Sequence, residues 1–99
     1  MFDVHCKYMK LCASANHGPV LDTKFQLGNP SSNRAARLDV DSPNSVGELI
    51  IWSSGDYTIE VFDVEPEVVR FRAIGTVCTN KQFKDVLREF FLTFASSEN

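Results

Sequence analysis

Val46-Gly47-Glu48-Leu49-Ile50-Ile51-Trp52-Ser53-Ser54-Gly55-Asp56-Tyr57-Thr58-Ile59-Glu60-Val61-Phe62-Asp63-Val64 is the stretch that decides the fold. Both halves are rich in β-branched and aromatic residues, and Ser53-Ser54-Gly55-Asp56 breaks them in the middle. That is the pattern of a β-hairpin, with Gly55 available for the positive φ of a tight turn. A four-residue connection sets Trp52 opposite Tyr57, Ile50 opposite Ile59 and Glu48 opposite Val61. Trp52, Tyr57, Ile50 and Ile59 then form a cross-strand cluster on one face. Leu49, Ile51, Thr58, Glu60 and Phe62 fall on the other, mixed face.

Working outward, Glu65-Pro66-Glu67 reads as a turn and residues 68–74 as a returning strand. Val69, Phe71 and Ala73 alternate there against Arg70 and Arg72, which are expected near the acidic hairpin and offset part of its charge. Upstream, Ala36, Leu38 and Val40 alternate with Arg37, Asp39 and Asp41, giving a strand over 34–40 before the turn Ser42-Pro43-Asn44-Ser45. Leu21, Thr23, Phe25 and Leu27 give another over 20–27, followed by a loop from Gly28 to Asn33.

A helix closes each end. Thr79 and Gln82 have the spacing of a capping box. Phe83, Val86, Leu87, Phe90, Phe91 and Phe94 then recur on one helical face, a stripe expected to pack on the sheet. The alternative use of such a stripe is a groove-binding partner helix. Phe2, Cys6, Met9 and Ala13 share one face over residues 2–15, with Val4, Tyr8, Leu11 and Ala15 as a second apolar row. Asn16 or Gly18, with Pro19 beyond, is the expected stop. Residues 96–99 are expected to fray. The fold class is α+β: a mainly antiparallel sheet of about five strands with an N-terminal and a C-terminal helix. Residues 1–99 are expected to form one domain of modest stability.

The composition, 43% apolar and 23% charged, is that of a globular protein. The longest apolar run falls far short of the roughly 18 residues of a membrane span. Met1-Phe2-Asp3-Val4-His5 lacks the basic and apolar regions of a signal peptide, so a cytoplasmic location is expected. Cys6, Cys12 and Cys78 are odd in number and form no CxxC, and read as small buried hydrophobes in a reducing compartment.

The net charge is only −3, but it is unevenly placed. Asp39, Asp41, Glu48, Asp56, Glu60, Asp63, Glu65 and Glu67 follow one another with no Lys or Arg between, so 39–67 carries −8 and the rest +5. A nucleic-acid binder shows the reverse, a basic stripe. Either this is a solvated acidic face, or it is a surface that attracts basic partners.

Catalytic signals are lacking. Two histidines, His5 and His17, are too few for a zinc site, and a surface or partly buried structural place is expected for His5. There is no phosphate-cradling glycine loop and no nucleophile elbow. Glu48 and Glu60 approach across the hairpin, and a carboxylate pair in a cleft can do acid–base work. On a hairpin face it is more often solvated. No enzyme activity, cofactor or metal is expected.

The central block resembles a known family. Asn29-Pro30, Ala36-Arg37-Leu38-Asp39-Val40-Asp41-Ser42 and the hairpin from Val46 to Val64, flanked by a helix on each side, are similar to the TriTu-type immunity proteins. The resemblance covers residues 29–64 well and the final helix by type. It departs in an N-terminal helix without the family's tryptophan, in Pro66 where the family has Thr-Gly, and over 70–78. Its motif is structural and fixes no inhibitory residues. The resemblance implies a bacterial protein that neutralises the toxic C-terminal nuclease domain delivered in contact-dependent growth inhibition. The family's name points to toxins that act on transfer RNA with elongation factor Tu, so that factor is an implied partner through the toxin. Direct nucleic-acid and membrane binding are not expected. Combined with the charge run, it marks Asp39, Asp41, Asp56, Glu60, Asp63, Glu65 and Glu67 as the expected toxin-binding residues along an acidic sheet edge. The rival function is a cytoplasmic adaptor or scaffold that docks another basic partner or self-associates through an exposed strand edge.

Overall fold

The computed structural model describes residues 1–14, 22–65 and 67–97, with the side chains of 14 and 95–97 excepted. The expected stop of the first helix at Asn16 or Gly18, Ala15, His17, Pro19, residues 20–21, Pro66 and residues 98–99 lie outside the described residues. In chain order the elements are α1 (Phe2–Ser14), β1 (Asp22–Leu27), β2 (Ala35–Asp41), β3 (Ser45–Trp52), β4 (Asp56–Val64), β5 (Glu67–Thr76) and α2 (Asn80–Ser97). The strands form one antiparallel sheet in the order β1-β2-β3-β4-β5. Each strand thus lies beside its sequence neighbour, as short connections require. The helical backbone of α2 continues through Ser97, past the point where fraying was expected.

Both helices lie on one face of the sheet, α1 over β1 and β2 and α2 over β3. Ala36, Leu38, Val40, Leu49, Ile51, Ile59 and Val61 point into that face and are buried. The phenylalanine stripe meets them: Phe83, Phe90 and Phe94 are fully buried, and Leu87 nearly so. The capping box forms, with the Gln82 N–H donating to Thr79 Oγ1 at 3.1 Å and the Thr79 N–H donating to Gln82 Oε1 at 3.2 Å. Tyr8 ties the two helices together beneath the Lys84 ammonium, 4.7 Å from its ring centroid. The Thr23 hydroxyl donates to the Ala13 carbonyl at 2.7 Å and fastens β1 to the end of α1.

Two registers differ from the sequence reading, each by one residue. In the β3–β4 hairpin Ile51 faces Tyr57, Leu49 faces Ile59 and Glu48 faces Glu60. The Gly55 N–H donates to the Trp52 carbonyl at 2.9 Å, and Gly55 sits at φ 97°. The loop is therefore Ser53-Ser54-Gly55, a three-residue turn whose left-handed glycine absorbs a residue. The expected cluster separates: Tyr57 and Ile59 join Leu49 and Ile51 beneath the helices, while Trp52 and Ile50 share the opposite face with Thr58 and Glu60. The second shift is a bulge in β5, where Val61 faces Phe71 but Phe62 faces Val69. The extra residue is Arg70, and it puts Val69 on the open face instead of beside Phe71 and Ala73.

Gly47 sits in β3 between buried Val40 and Val61. A Cβ there would run into the Phe94 ring and come within 3.1 Å of Phe90. The glycine is the socket into which α2 is set. Gly47→Ala is expected to lower unfolding free energy by about 1–3 kcal/mol through overpacking, read as a lower urea midpoint.

His5 was expected at the surface or partly buried, yet it is 1% exposed, stacked on Phe83 with ring centroids 4.3 Å apart. It follows Phe2 by three residues and precedes Met9 by four, so it shares their helical stripe. Neither ring nitrogen has a hydrogen-bond partner. Burial, and secondarily the charged amino terminus, push its pKa below the ordinary 6.5. The unfolded chain takes up the proton first as pH falls, so this contribution to stability is complete above about pH 6.5, declines below it, and stops declining beneath the folded-state pKa. Urea midpoints should fall between about pH 7.5 and 5.5, and His5→Leu should flatten that slope.

Candidate functional site

The sheet has a second face that no described helix covers. Side chains alternate across a strand, so the partners of the buried set point outward. In the middle of that face the strand registers line up one residue from every strand: Lys24, Asp39, Glu48, Glu60 and Arg72. Three carboxylates stand side by side on the three central strands, with a base on each edge strand. The apolar neighbours lie in flanking rows. Ile50 and Ile74 share one row with Arg37 and Thr58, and Trp52 lies beyond it; Val46, Phe62 and Val69 share the other with Asp41 and Asp22.

Like charges directly opposite one another across strands destabilise a sheet. Here arginines offset the repulsion. Arg37 Nε donates to Asp39 Oδ1 at 2.9 Å, and its Nη2 lies 2.9 Å from Glu48 Oε2, so one guanidinium spans two carboxylates. Arg72 Nε donates to Glu60 Oε2 at 3.0 Å from β5. Asp41 faces Asp22, and among the described residues neither carboxylate has an ion-pair partner. A shallow depression of about 460 Å³ opens here, lined by Lys24, Arg37, Asp39, Asp41, Glu48 and Phe62 among others.

The seven expected binding residues do not form a sheet edge. Asp39 and Asp41 lie on β2 and Glu60 on β4, all interior strands. These three are brought together on the open face. Asp56 starts β4 at the far end and is occupied locally, accepting from Thr76 Oγ1 at 2.7 Å and Ser54 Oγ at 3.0 Å. Glu65 lies in the turn after β4 and Glu67 starts β5, at the other end of the sheet. Asp63 is on the helix-facing side. Its carboxylate accepts from the buried Ser45 hydroxyl at 2.7 Å and pairs with Arg70 at 2.8 Å. Arg70 first, and then Ser45, hold the Asp63 carboxyl below its usual pKa.

The expectation that Arg70 and Arg72 offset the acidic hairpin holds, but they do so on different faces. Both are even-numbered and would point the same way in a regular strand. The bulge turns Arg70 toward Asp63 and leaves Arg72 with Glu60. Sequence reasoning counted Glu48 in the acidic run and weighed it in a catalytic pair but not as a binding residue, and it missed the apolar residues that flank the row. Glu48 and Glu60 are indeed cross-strand neighbours. Each is engaged by an arginine on an open surface. Among the described residues no group of three or more His, Cys, Asp or Glu side chains is placed to hold a metal ion. No helix among them is long and apolar enough to cross a membrane.

Such a face can recognise a broad cationic surface with apolar contacts beside it. The internal bridges can be probed first. Arg37→Ala leaves Asp39, Glu48 and Glu60 adjacent with less compensation. A loss of about 0.5–1 kcal/mol is expected at low salt, largely recovered in molar salt, where the screening length falls to about 3 Å. Unfolding curves at the two ionic strengths check it.

A family model described as immunity protein TriTu matches residues 10–93. The match takes in the end of α1, the whole sheet and most of α2. It also spans residues 70–78, where the quoted motif has no counterpart. No curated protein gives a significant match. With the family's model covering most of the chain, on a five-stranded sheet between two helices, the chain belongs to the TriTu immunity protein family.

Proposed function

We propose that this immunity protein neutralises a toxin nuclease domain of contact-dependent growth inhibition, and that its open sheet face is the surface that does so. Family membership implies a cognate toxin as the binding partner, and immunity proteins are generally non-enzymatic. The finer reading rests on one observation, the row of Asp39, Glu48 and Glu60 across the three central strands of an uncovered face. A nuclease cleft must attract phosphates and is therefore basic. Carboxylates spaced across neighbouring strands meet such a cleft with the charge it is built to hold. The flanking Trp52 and Phe62 supply aromatic area of the kind that concentrates binding energy at interfaces. Occlusion of the cleft needs no cofactor. The family resemblance supports transfer RNA as the toxin's target, with elongation factor Tu held through the toxin and a cytoplasmic site of action.

Of the expected binding residues, Asp41, Glu60 and Asp39 have the position for this role. Glu48 and Asp22 join them. Asp63 belongs instead to the support of the core, so its reversal would confuse binding with folding. Recovery of the tagged protein from its own bacterium, followed by mass spectrometry, is the route to the toxin. With that toxin in hand, Asp41→Lys with Glu60→Lys is expected to weaken binding about tenfold or more. Most of the change should fall in the association rate, with loss of nuclease inhibition and an unchanged circular dichroism spectrum. Equal affinity in the folded double variant would rule out the open face as the inhibitory surface.

A further inference from the structure

The two edges of the sheet are built differently. β1 is short, carries Lys24 and is overlaid by α1. β5 is the longest strand, contains neither Pro nor Lys, and no described strand lies beyond it. Charged side chains are one way a sheet protects a free edge. In β5 the two arginines are drawn back onto β4, Arg70 by Asp63 and Arg72 by Glu60. What remains at the edge is the uncharged run Ala73-Ile74-Gly75-Thr76. Ile74 in its middle is 79% exposed, the most exposed of the large hydrophobic residues described.

The hydrogen-bond ladder shows which backbone groups are free for a new strand. The Val77 N–H donates to the Gly55 carbonyl at 2.9 Å, and the register runs on through Asp56 with Thr76 and Tyr57 with Gly75. In an antiparallel pair the bonded residues alternate. Val77, Gly75, Ala73 and Phe71 therefore turn their backbone groups to β4, and Thr76, Ile74 and Arg72 turn theirs outward. We propose that β5 pairs antiparallel with β5 of a second copy of this chain, on a twofold axis at Ile74, joining the two sheets into one.

The occupant is a second copy because the strand complements itself in this register. Ile74 meets its own counterpart, Arg72 meets Thr76, and Ala73 meets Gly75. The outward groups of the three residues supply about six hydrogen bonds. On the open face the apolar row of Ile50 and Ile74 continues across the axis. A slip of one residue turns the wrong backbone groups together. A slip that centres the axis on Arg72 sets like charges opposite each other. One strand edge makes a small interface, so the dimer is concentration-dependent. The pairing uses the sheet edge and leaves the open face clear, so it stands or falls separately from the proposed toxin docking.

Sedimentation velocity of the full chain over a concentration series tests the pairing. A monomer–dimer equilibrium is expected, abolished by Ile74→Lys with the fold retained by circular dichroism. In a Cys78→Ser background, Ile74→Cys should give a disulfide-linked dimer on mild oxidation, because bonded partners lie about 5.5 Å apart between Cα atoms, within disulfide range. Val69→Cys, on the same strand and also exposed, should not. Monomer at every concentration, a dimer indifferent to Ile74→Lys, or equal cross-linking at position 69 overturns the proposal. So does a monomer whose β5 amides gain hydrogen-exchange protection only on adding the toxin, which assigns the edge to a toxin strand instead.

Discussion

The seating of Phe90 and Phe94 on Gly47 is the contact on which the rest of the structure depends. A central strand can accept a helix this closely only where it lacks a side chain, and Gly47 supplies that gap between Val40 and Val61. The docking settles which face of β3 is inside. From there the alternation of strands settles every neighbour: Leu49 and Ile51 inward, Glu48 and Ile50 outward, and likewise across β2 and β4. The open face is a consequence of this packing, because two helices cover one side of a five-stranded sheet and none among the described residues covers the other.

An uncovered face that displays Trp52, Ile50 and Phe62 beside three adjacent carboxylates is a poor choice for stability alone. Repulsion between Asp39, Glu48 and Glu60 is relieved by Arg37 and Arg72, and exposed pairs of that kind contribute little net energy. Their greater effect is to hold the carboxylates in place before any partner arrives, which reduces the ordering cost of association. The arginines thus shape the surface more than they strengthen the fold.

Much of the architecture was readable in the sequence. The five strands and two helices follow from periods of two and of 3.6, and the capping box at Thr79 and Gln82 forms as spaced. What escaped was decided by single backbone events. Gly55 at positive φ shortens the hairpin loop by one residue and exchanges the roles of Ile50 and Ile51. The bulge at Arg70 carries no glycine or proline to announce it. His5 was passed over because a polar residue interrupts an apolar count, although its helical position is that of a core residue. The candidate site was readable as a charge run and not as a surface, since a list of acids does not say on which face of a strand each one lies.

Glu60 and Asp63 make that last point in chemical terms. They lie three residues apart in one strand and look alike in any charge count. Parity separates them: Glu60 faces outward with Arg72, while Asp63 faces the helices and holds the buried Ser45 hydroxyl and Arg70. The same division runs through the molecule. Lys7, Lys10, Lys81, Lys84 and Arg88 are exposed on the helices, against Asp3, Asp85 and Glu89 there. Asp39, Asp41, Glu48 and Glu60, on β2, β3 and β4, crowd the opposite side. A chain with a net charge of only −3 therefore carries a directional field. If the partner is basic, as proposed, such a field turns the open face toward it and the helical face away, so that orientation begins before contact does.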